Sequence, residues 1–389
     1  MRKGWEYKKL GEVCEVVTGT TPKTNIPEYW GKGHYWVTPA ELNDTTVYID
    51  KTERQITDEA LSKTKLRLLP VGTVLLSSRA PIGKVAIANA EMYCNQGFKN
   101  CICSEAIYNK YLFYFLRLKK DYLNSLGRGA TFKEISKSIV ESIKIPLPPK
   151  STQLAIVSEL DKINELIRLK KEQLKDFDNL AQSLFYEMFG DPVENEKGWE
   201  VKKLGEICTD ITDGDHMPPP KSESGIPFIT ISDIDKDTRC LNFENTFYVP
   251  EDYYNNLKEN RKPQKGDLLY TVTGSYGIPV IVKTDKKFCF QRHIALLRPN
   301  KEILSTIFLC YWVLSDGVKF MADKVATGIA QKTVGLNSIR KFSCILPPLP
   351  LQQLFAQRIE QIEREKSEVQ KSIQDLETLL ASRMQYWFE

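Results

Sequence analysis

Two stretches of this chain, about 194 residues apart, carry nearly the same text, and that duplication restricts the possible folds more than any other feature. Gly4-Trp5-Glu6-Tyr7-Lys8-Lys9-Leu10-Gly11-Glu12-Val13-Cys14 returns as Gly198-Trp199-Glu200-Val201-Lys202-Lys203-Leu204-Gly205-Glu206-Ile207-Cys208. Pro70 to Leu76 is echoed by Gln264 to Leu269, Gly83 by Gly277, and Tyr93-Cys94-Asn95-Gln96 by Phe288-Cys289-Phe290-Gln291. Each copy closes on a proline stop, Pro148-Pro149 or Pro347-Pro348, followed by a long amphipathic segment. A repeat this large is a whole domain with its connector rather than a solenoid unit. Two copies in one chain imply pseudo-two-fold symmetry, and with it a target or partner that also comes in two halves.

The 389 residues are 42% hydrophobic, an ordinary soluble composition with room for two to four compact units, and each repeat body can bury its own core. The longest apolar run, Ile307 to Leu314, is too short to span a bilayer, and Met1 to Trp5 has no apolar signal region. Nine cysteines without a Cys-x-x-Cys pair read as reduced, mostly buried thiols of a cytoplasmic protein, and Cys101 and Cys103 fit alternate strand positions better than a metal site. A formal net charge of +4 permits nucleic-acid binding without demanding it.

Four segments follow from the pattern. Residues 1–150 and 191–349 mix short β-rich runs with Gly and Pro turns and one helical patch each, Ile107 to Leu126 and Ile303 to Asp323. Both bodies are therefore expected to be α+β. Residues 151–190 and 350–389 are expected to be helices. In the first, Ile156, Leu160, Ile163, Ile167, Lys170, Leu174, Phe177, Ala181, Leu184 and Met188 alternate steps of four and three. Phe355, Ile359, Ile362, Lys366, Val369, Ile373, Leu376, Leu380 and Arg383 do so in the second. That is a coiled-coil seam, and each helix would run roughly 60 Å. Connectivity makes the pair antiparallel and the molecule a dumbbell with a two-helix spacer; the alternative is that each helix folds back on its own body.

Catalytic constellations are missing from the sequence. His34, His216 and His293 lie far apart without ligands at metal spacing. No phosphate-cradling Gly-x-x-x-x-Gly-Lys-Ser/Thr occurs, and Gly127-Arg128-Gly129 reads as a turn. Asp191-Pro192-Val193-Glu194 lacks the second proline and the aromatic of an amino-methyltransferase loop and sits in a linker. Asp213-Gly214-Asp215-His216 could suggest a metal or acid–base pair, but the other copy has Thr18-Gly19-Thr20-Thr21 at the equivalent place, and it reads as a variable turn.

The assembled motifs resemble the DNA specificity subunits of type I restriction–modification systems. The resemblance rests on Trp5 with Lys8-Lys9-Leu10-Gly11-Glu12, Thr20-Thr21-Pro22-Lys23, Ile26 to Trp30, Trp36-Val37-Thr38-Pro39 and Ser77-Ser78-Arg79-Ala80-Pro81-Ile82-Gly83. It continues with Asn95-Gln96-Gly97-Phe98-Lys99, Gly129-Ala130-Thr131-Phe132-Lys133-Glu134-Ile135, and the proline stop followed by Gln153. The second copy keeps the frame more loosely, with Pro347-Pro348 and Gln352-Gln353. The resemblance implies a non-catalytic chain with two target recognition domains, each reading one half of a split double-stranded DNA site, and paired helices acting as a ruler. It also implies docking of two methylation subunits that carry S-adenosylmethionine, and of ATP- and Mg-dependent motor–nuclease subunits, with no cofactor on this chain. A type II enzyme's binding subunit, an enzyme with an unrecognised site and a coiled-coil adaptor are the alternatives.

Base edges are read by Arg, Lys, Asn, Gln, Ser or Thr on rigid loops. In body one these are Thr20, Thr21, Lys23, Arg79, Lys84, Gln96 and Lys99, with Arg128, Thr131 and Lys133 as expected phosphate contacts on a Gly-rich turn. In body two the corresponding residues are His216, Lys221, Thr273, Ser275, Tyr276, Arg292 and His293, with Gln331 and Lys332 near the second Gly turn. For any one of them, a solvated loop side chain is the alternative.

Overall fold

The structure is a computed structural model, and it describes residues 5–79, 81–129, 133–214, 219–328 and 332–389. It divides into two compact units, Met1–Lys171 with Lys371–Glu389, and Glu172–Gln370.

The first unit begins where the duplicated text begins. Glu6–Lys9 pairs antiparallel with Lys144–Leu147, so the start of the body is tied to the strand before its proline stop. The next residues turn through a short helix, Leu10–Val13. Leu10 is fully buried, and its N–H donates to the Ile143 carbonyl at 2.9 Å. Glu12 caps the turn by accepting from the Lys9 N–H at 2.9 Å. The Lys-Lys-Leu-Gly-Glu motif is thus a strand end, a core plug and a cap in succession. A five-stranded sheet follows, in the order Cys14–Thr18, Lys99–Cys103, Val74–Leu76, Val85–Ala88, Tyr48–Ile49. A smaller sheet places Trp30–Val37 between Gln55–Ile56 and Tyr93–Cys94. The expected helical patch is two helices, Asn109–Leu118 and Lys120–Ser125, the break falling at Lys119.

The second unit repeats this plan. Glu200–Lys203 pairs with Ser343–Leu346, Leu204 is fully buried, and Glu206 accepts from the Lys203 N–H at 2.9 Å. The main sheet has four strands, in the order Cys208–Asp213, Ile294–Pro299, Leu268–Thr271, Pro279–Ile281. A three-stranded sheet centres on Ile226–Ile229, and the helices are Thr306–Leu314 and Asp316–Val325.

Each proline stop leads into one unbroken helix of 40 residues, Lys150–Phe189 and Leu349–Phe388. Both helices contribute to both units. In the first unit Arg383 donates through two nitrogens to Glu159, and Lys171 pairs with Glu377 at 2.8 Å. In the second, Lys366 pairs with Asp178 at 2.8 Å and Phe185 packs on Phe355. As the number rises along one helix it falls along the other, so the pair is antiparallel. The alternative in which each helix serves only its own body fails. Ile156, Leu160, Ile163, Ile167 and Ala181 are buried as the seam requires. Toward the helix end the buried positions are Phe185 and Phe189, one residue beyond the expected Leu184 and Met188, which are half-buried. A straight helix drifts about 20° per heptad against a strict seven-residue repeat, which moves the buried stripe round.

The core of the first unit joins the sheet to Tyr111, Phe113, Phe115, Ile156, Leu160 and Phe388; that of the second joins its sheet to Phe185, Phe189, Phe308, Trp312 and Phe355. Seven of the nine free cysteines are buried, and none of the described helices is long and apolar enough to cross a membrane.

Candidate nucleic-acid interface

In the first unit four loops converge at one end of the strands. The Thr20 N–H donates to the Cys94 carbonyl at 2.9 Å, and the Thr21 hydroxyl bonds the Gln96 side-chain oxygen. Ser78 donates to the Gly97 carbonyl at 2.7 Å and accepts from the Ile135 N–H at 3.0 Å. Glu134 then pairs by isolated antiparallel bridges with both Arg79 and Arg128. The approach depends on Gly19, where a Cβ would come 2.0 Å from the Asn95 carbonyl oxygen. Within the 77–84 loop, Ser77 donates its hydroxyl to the Pro81 carbonyl at 2.7 Å and accepts from the Lys84 N–H at 2.8 Å, with Gly83 at φ +91° closing the turn.

The second unit builds the same constellation from different residues. The Val272 N–H donates to the His293 carbonyl at 2.9 Å, and the Val334 N–H to the Val272 carbonyl at 2.8 Å. Thr333 bridges to Thr273 and Thr327 as Glu134 does to Arg79 and Arg128. A Cβ on Gly214 would meet the Phe290 carbonyl oxygen at 1.9 Å, and Gly277 takes φ +94°. Thr271 donates to the Ser275 carbonyl at 2.8 Å and accepts from the Ile278 N–H at 3.0 Å, as Ser77 does in its own loop.

Most residues expected at this surface lie on these loops. Thr20, Lys23, Gln96, Arg128 and Lys133 are exposed; Thr21, Arg79 and Lys84 are half-buried, and Lys84 donates to the Pro39 carbonyl at 3.1 Å. Lys99 departs from its expected role. It opens a strand, is 5% exposed, and sends its ammonium to Glu134 at 3.0 Å and Ser78 at 3.3 Å, so it faces inward rather than toward a base. Thr273 is also turned in, its hydroxyl accepting from that of Thr333 at 3.3 Å. Ser275, Arg292 and Lys332 are exposed, and Ser275 accepts from Lys236 at 3.1 Å. Tyr276 donates to Asp323 at 2.5 Å, and that bond holds its phenol above the ordinary range. Burial, then the neighbouring Arg292, holds the half-buried His293 below the usual imidazole value, so it is neutral at neutral pH. Lys221 lies over the Phe247 ring on the loop before Ile226–Ile229. Thr131, His216 and Gln331 fall outside the described residues.

Sequence reasoning missed two features. Glu134 was visible only as part of a motif, because its partner Lys99 is 35 positions away. Arg54 stacks its guanidinium 3.7 Å from the Trp30 ring, while the Trp30 and Trp36 indoles donate to the Lys23 and Thr20 carbonyls, both at 3.2 Å. An exposed Arg in an unremarked loop gave no signal of this support beneath the Thr20–Lys23 loop.

Among the described residues no group of three or more His, Cys, Asp or Glu side chains is placed to hold a metal ion. Two repeated scaffolds that carry different side chains on matching loops define a tandem recognition protein. The family model described as "Type I restriction modification DNA specificity domain" matches residues 2–176 and 196–378, and the chain belongs to that family. It is 31% identical over 377 residues to the type I restriction enzyme MjaIX specificity subunit of Methanocaldococcus jannaschii, covering 91% of this chain and 85% of that one. With the EcoKI specificity subunit of Escherichia coli it shares 23% over 399 residues, covering 95% and 84%. A chain from a solved type I R-M system assembly has the same fold at TM-score 0.67 and 21% identity, covering 99% of this chain and 97% of its own.

Proposed function

We propose that this chain is the non-catalytic specificity subunit of a type I restriction–modification complex and reads a split double-stranded DNA site. The observation that carries this reading is the pair of loop constellations, the same in backbone and different in side chains. A duplicated scaffold with matching hydrogen bonds holds Arg79 and Arg128 in one copy where the other holds Thr273 and Thr327. One scaffold carrying two vocabularies suits two unlike half-sites, with residues 1–150 and 191–349 as the target recognition domains. Base edges would be met by the exposed loop residues and phosphates by Arg128 and Lys133. The long helices serve as the ruler for the unread gap and as the docking surface for two methylation subunits, which carry S-adenosylmethionine. Motor–nuclease subunits, with ATP and Mg, join for restriction. A type II binding subunit is not favoured, since the relatives named above are type I specificity subunits.

Methylome sequencing of a host expressing the chain with its methylation subunits tests the reading. The expected result is adenine methylation at a motif of two specified blocks around an unspecified gap, lost when this chain is omitted. A contiguous motif, or methylation that persists without the chain, overturns it.

A further inference from the structure

Glu134 sits between two arginines, and its carboxylate pairs with neither. Its backbone bridges Arg79 on one side and Arg128 on the other, with Arg128 N–H to Glu134 O at 3.0 Å and the reverse bond at 2.9 Å. Residues directly opposite in antiparallel pairing project to the same face, so the carboxylate and both guanidiniums belong to one surface. A carboxylate so placed would ordinarily pair with arginine, which offers two parallel donors. Here it is drawn inward instead, to the Lys99 ammonium at 3.0 Å. Lys99 is nearly fully buried, and among the described residues its ammonium has one other polar contact, the Ser78 hydroxyl at 3.3 Å, so it needs the carboxylate as much as it holds it. Among the described residues Arg79 and Arg128 make no ion pair. In the second unit Thr273, Thr333 and Thr327 occupy the bridge, with no carboxylate to restrain.

We propose that Lys99 is a positioning residue for DNA binding: by holding the Glu134 carboxylate inward, it leaves the Arg79 and Arg128 guanidiniums to take DNA acceptors in the first half-site. The inference rests on the reading of these loops as the DNA interface. It makes Glu134 a latent competitor of DNA, silenced by a buried lysine, and gives the first unit two arginines at a bridge where the second carries threonines.

The test is binding of cognate duplex, at several salt concentrations, by the full chain assembled with its methylation subunits. Lys99→Met should weaken binding about tenfold, as expected for a lost charge-assisted contact, and lower the salt slope by about one unit as an arginine is diverted to Glu134. Lys99→Met with Glu134→Gln should bind within about threefold of the parent, because the competing charge is gone. A merely structural role would also be relieved by Glu134→Gln in thermal unfolding, but it would leave the salt slope of Lys99→Met equal to that of the parent. If Lys99→Met does not assemble, Lys99→Gln keeps a donor toward Ser78 and must show the same rescue by Glu134→Gln. Arg79→Ala and Arg128→Ala separate the two ways to fail. If both bind like the parent, the interface reading is wrong. If they weaken binding while Lys99→Met does not, or Glu134→Gln gives no rescue, the positioning role is wrong and the interface stands.

Discussion

Gln153 and Gln352 occupy the same place in the two repeats, fully buried in the first turn of each long helix. The Gln153 oxygen accepts from the Tyr108 N–H at 2.8 Å, and its nitrogen donates to the Ala106 and Pro148 carbonyls, both at 2.9 Å. Gln352 does the same with the Ser305 N–H at 2.9 Å, Ile303 at 3.0 Å and Pro347 at 2.8 Å. One amide thus satisfies three backbone groups that proline and a helix start leave without partners. A glutamate could accept but not donate, and an alanine could do neither. Gln153→Ala should cost roughly 2–4 kcal/mol, since unsatisfied buried groups cost about 1–3 kcal/mol each. Urea unfolding of the purified chain would measure it, and a change below about 0.5 kcal/mol, the usual range of surface substitutions, would mean the staple is not structural. Lys99, by contrast, marks where a side chain's type misleads. Its charge suggested an outward reader, and only its burial against Glu134 shows the opposite orientation.

The long helices do more than pair with each other. Each ends in an aromatic anchor within a body core. Phe388, 3% exposed, sits 5.0 Å from the Tyr111 ring and 5.9 Å from Phe115. Phe189 sits 4.8 Å from Phe308 and 5.3 Å from Phe355. Beside Phe388, the Trp387 indole donates to Glu159 at 3.0 Å, and the Arg383 guanidinium holds that carboxyl below its ordinary value. The last turn of the chain is therefore core material for the first unit. Phe388→Ala should destabilise that unit by about 3–5 kcal/mol, the usual cost of emptying a buried aromatic site. Thermal unfolding followed by aromatic circular dichroism would read it, and an unchanged transition would show that the anchor is dispensable.

At the scale of the whole molecule the duplication makes a body exchange the natural test of two independent readers. The ribbon Glu6–Lys9 with Lys144–Leu147 shows where to cut, because a junction inside it would mix partners across a strand pair. Exchanging residues 1–149 for the matching body of another family member, chosen to keep a Tyr or Phe at position 111, should change one block of the methylated motif only. Sequencing the motif checks this, and a change in both blocks would refute one reader per half-site.

The duplication, the heptad seams, the proline stops and the absence of a catalytic constellation are legible in the chain because each is a local or periodic pattern. A buried stripe recurs every three or four residues whatever it packs against, and a repeated motif such as Leu10-Gly11-Glu12 needs its neighbours only for a plug and a cap. The places of Arg79, Arg128, Glu134 and Lys99 are not legible in that way. They come from loops separated by tens of residues, brought together by strand order and by close approaches such as that at Gly19. Periodicity is written along the chain, but which charge faces its partner and which faces solvent depends on contacts at long sequence separation, and those only the folded structure decides.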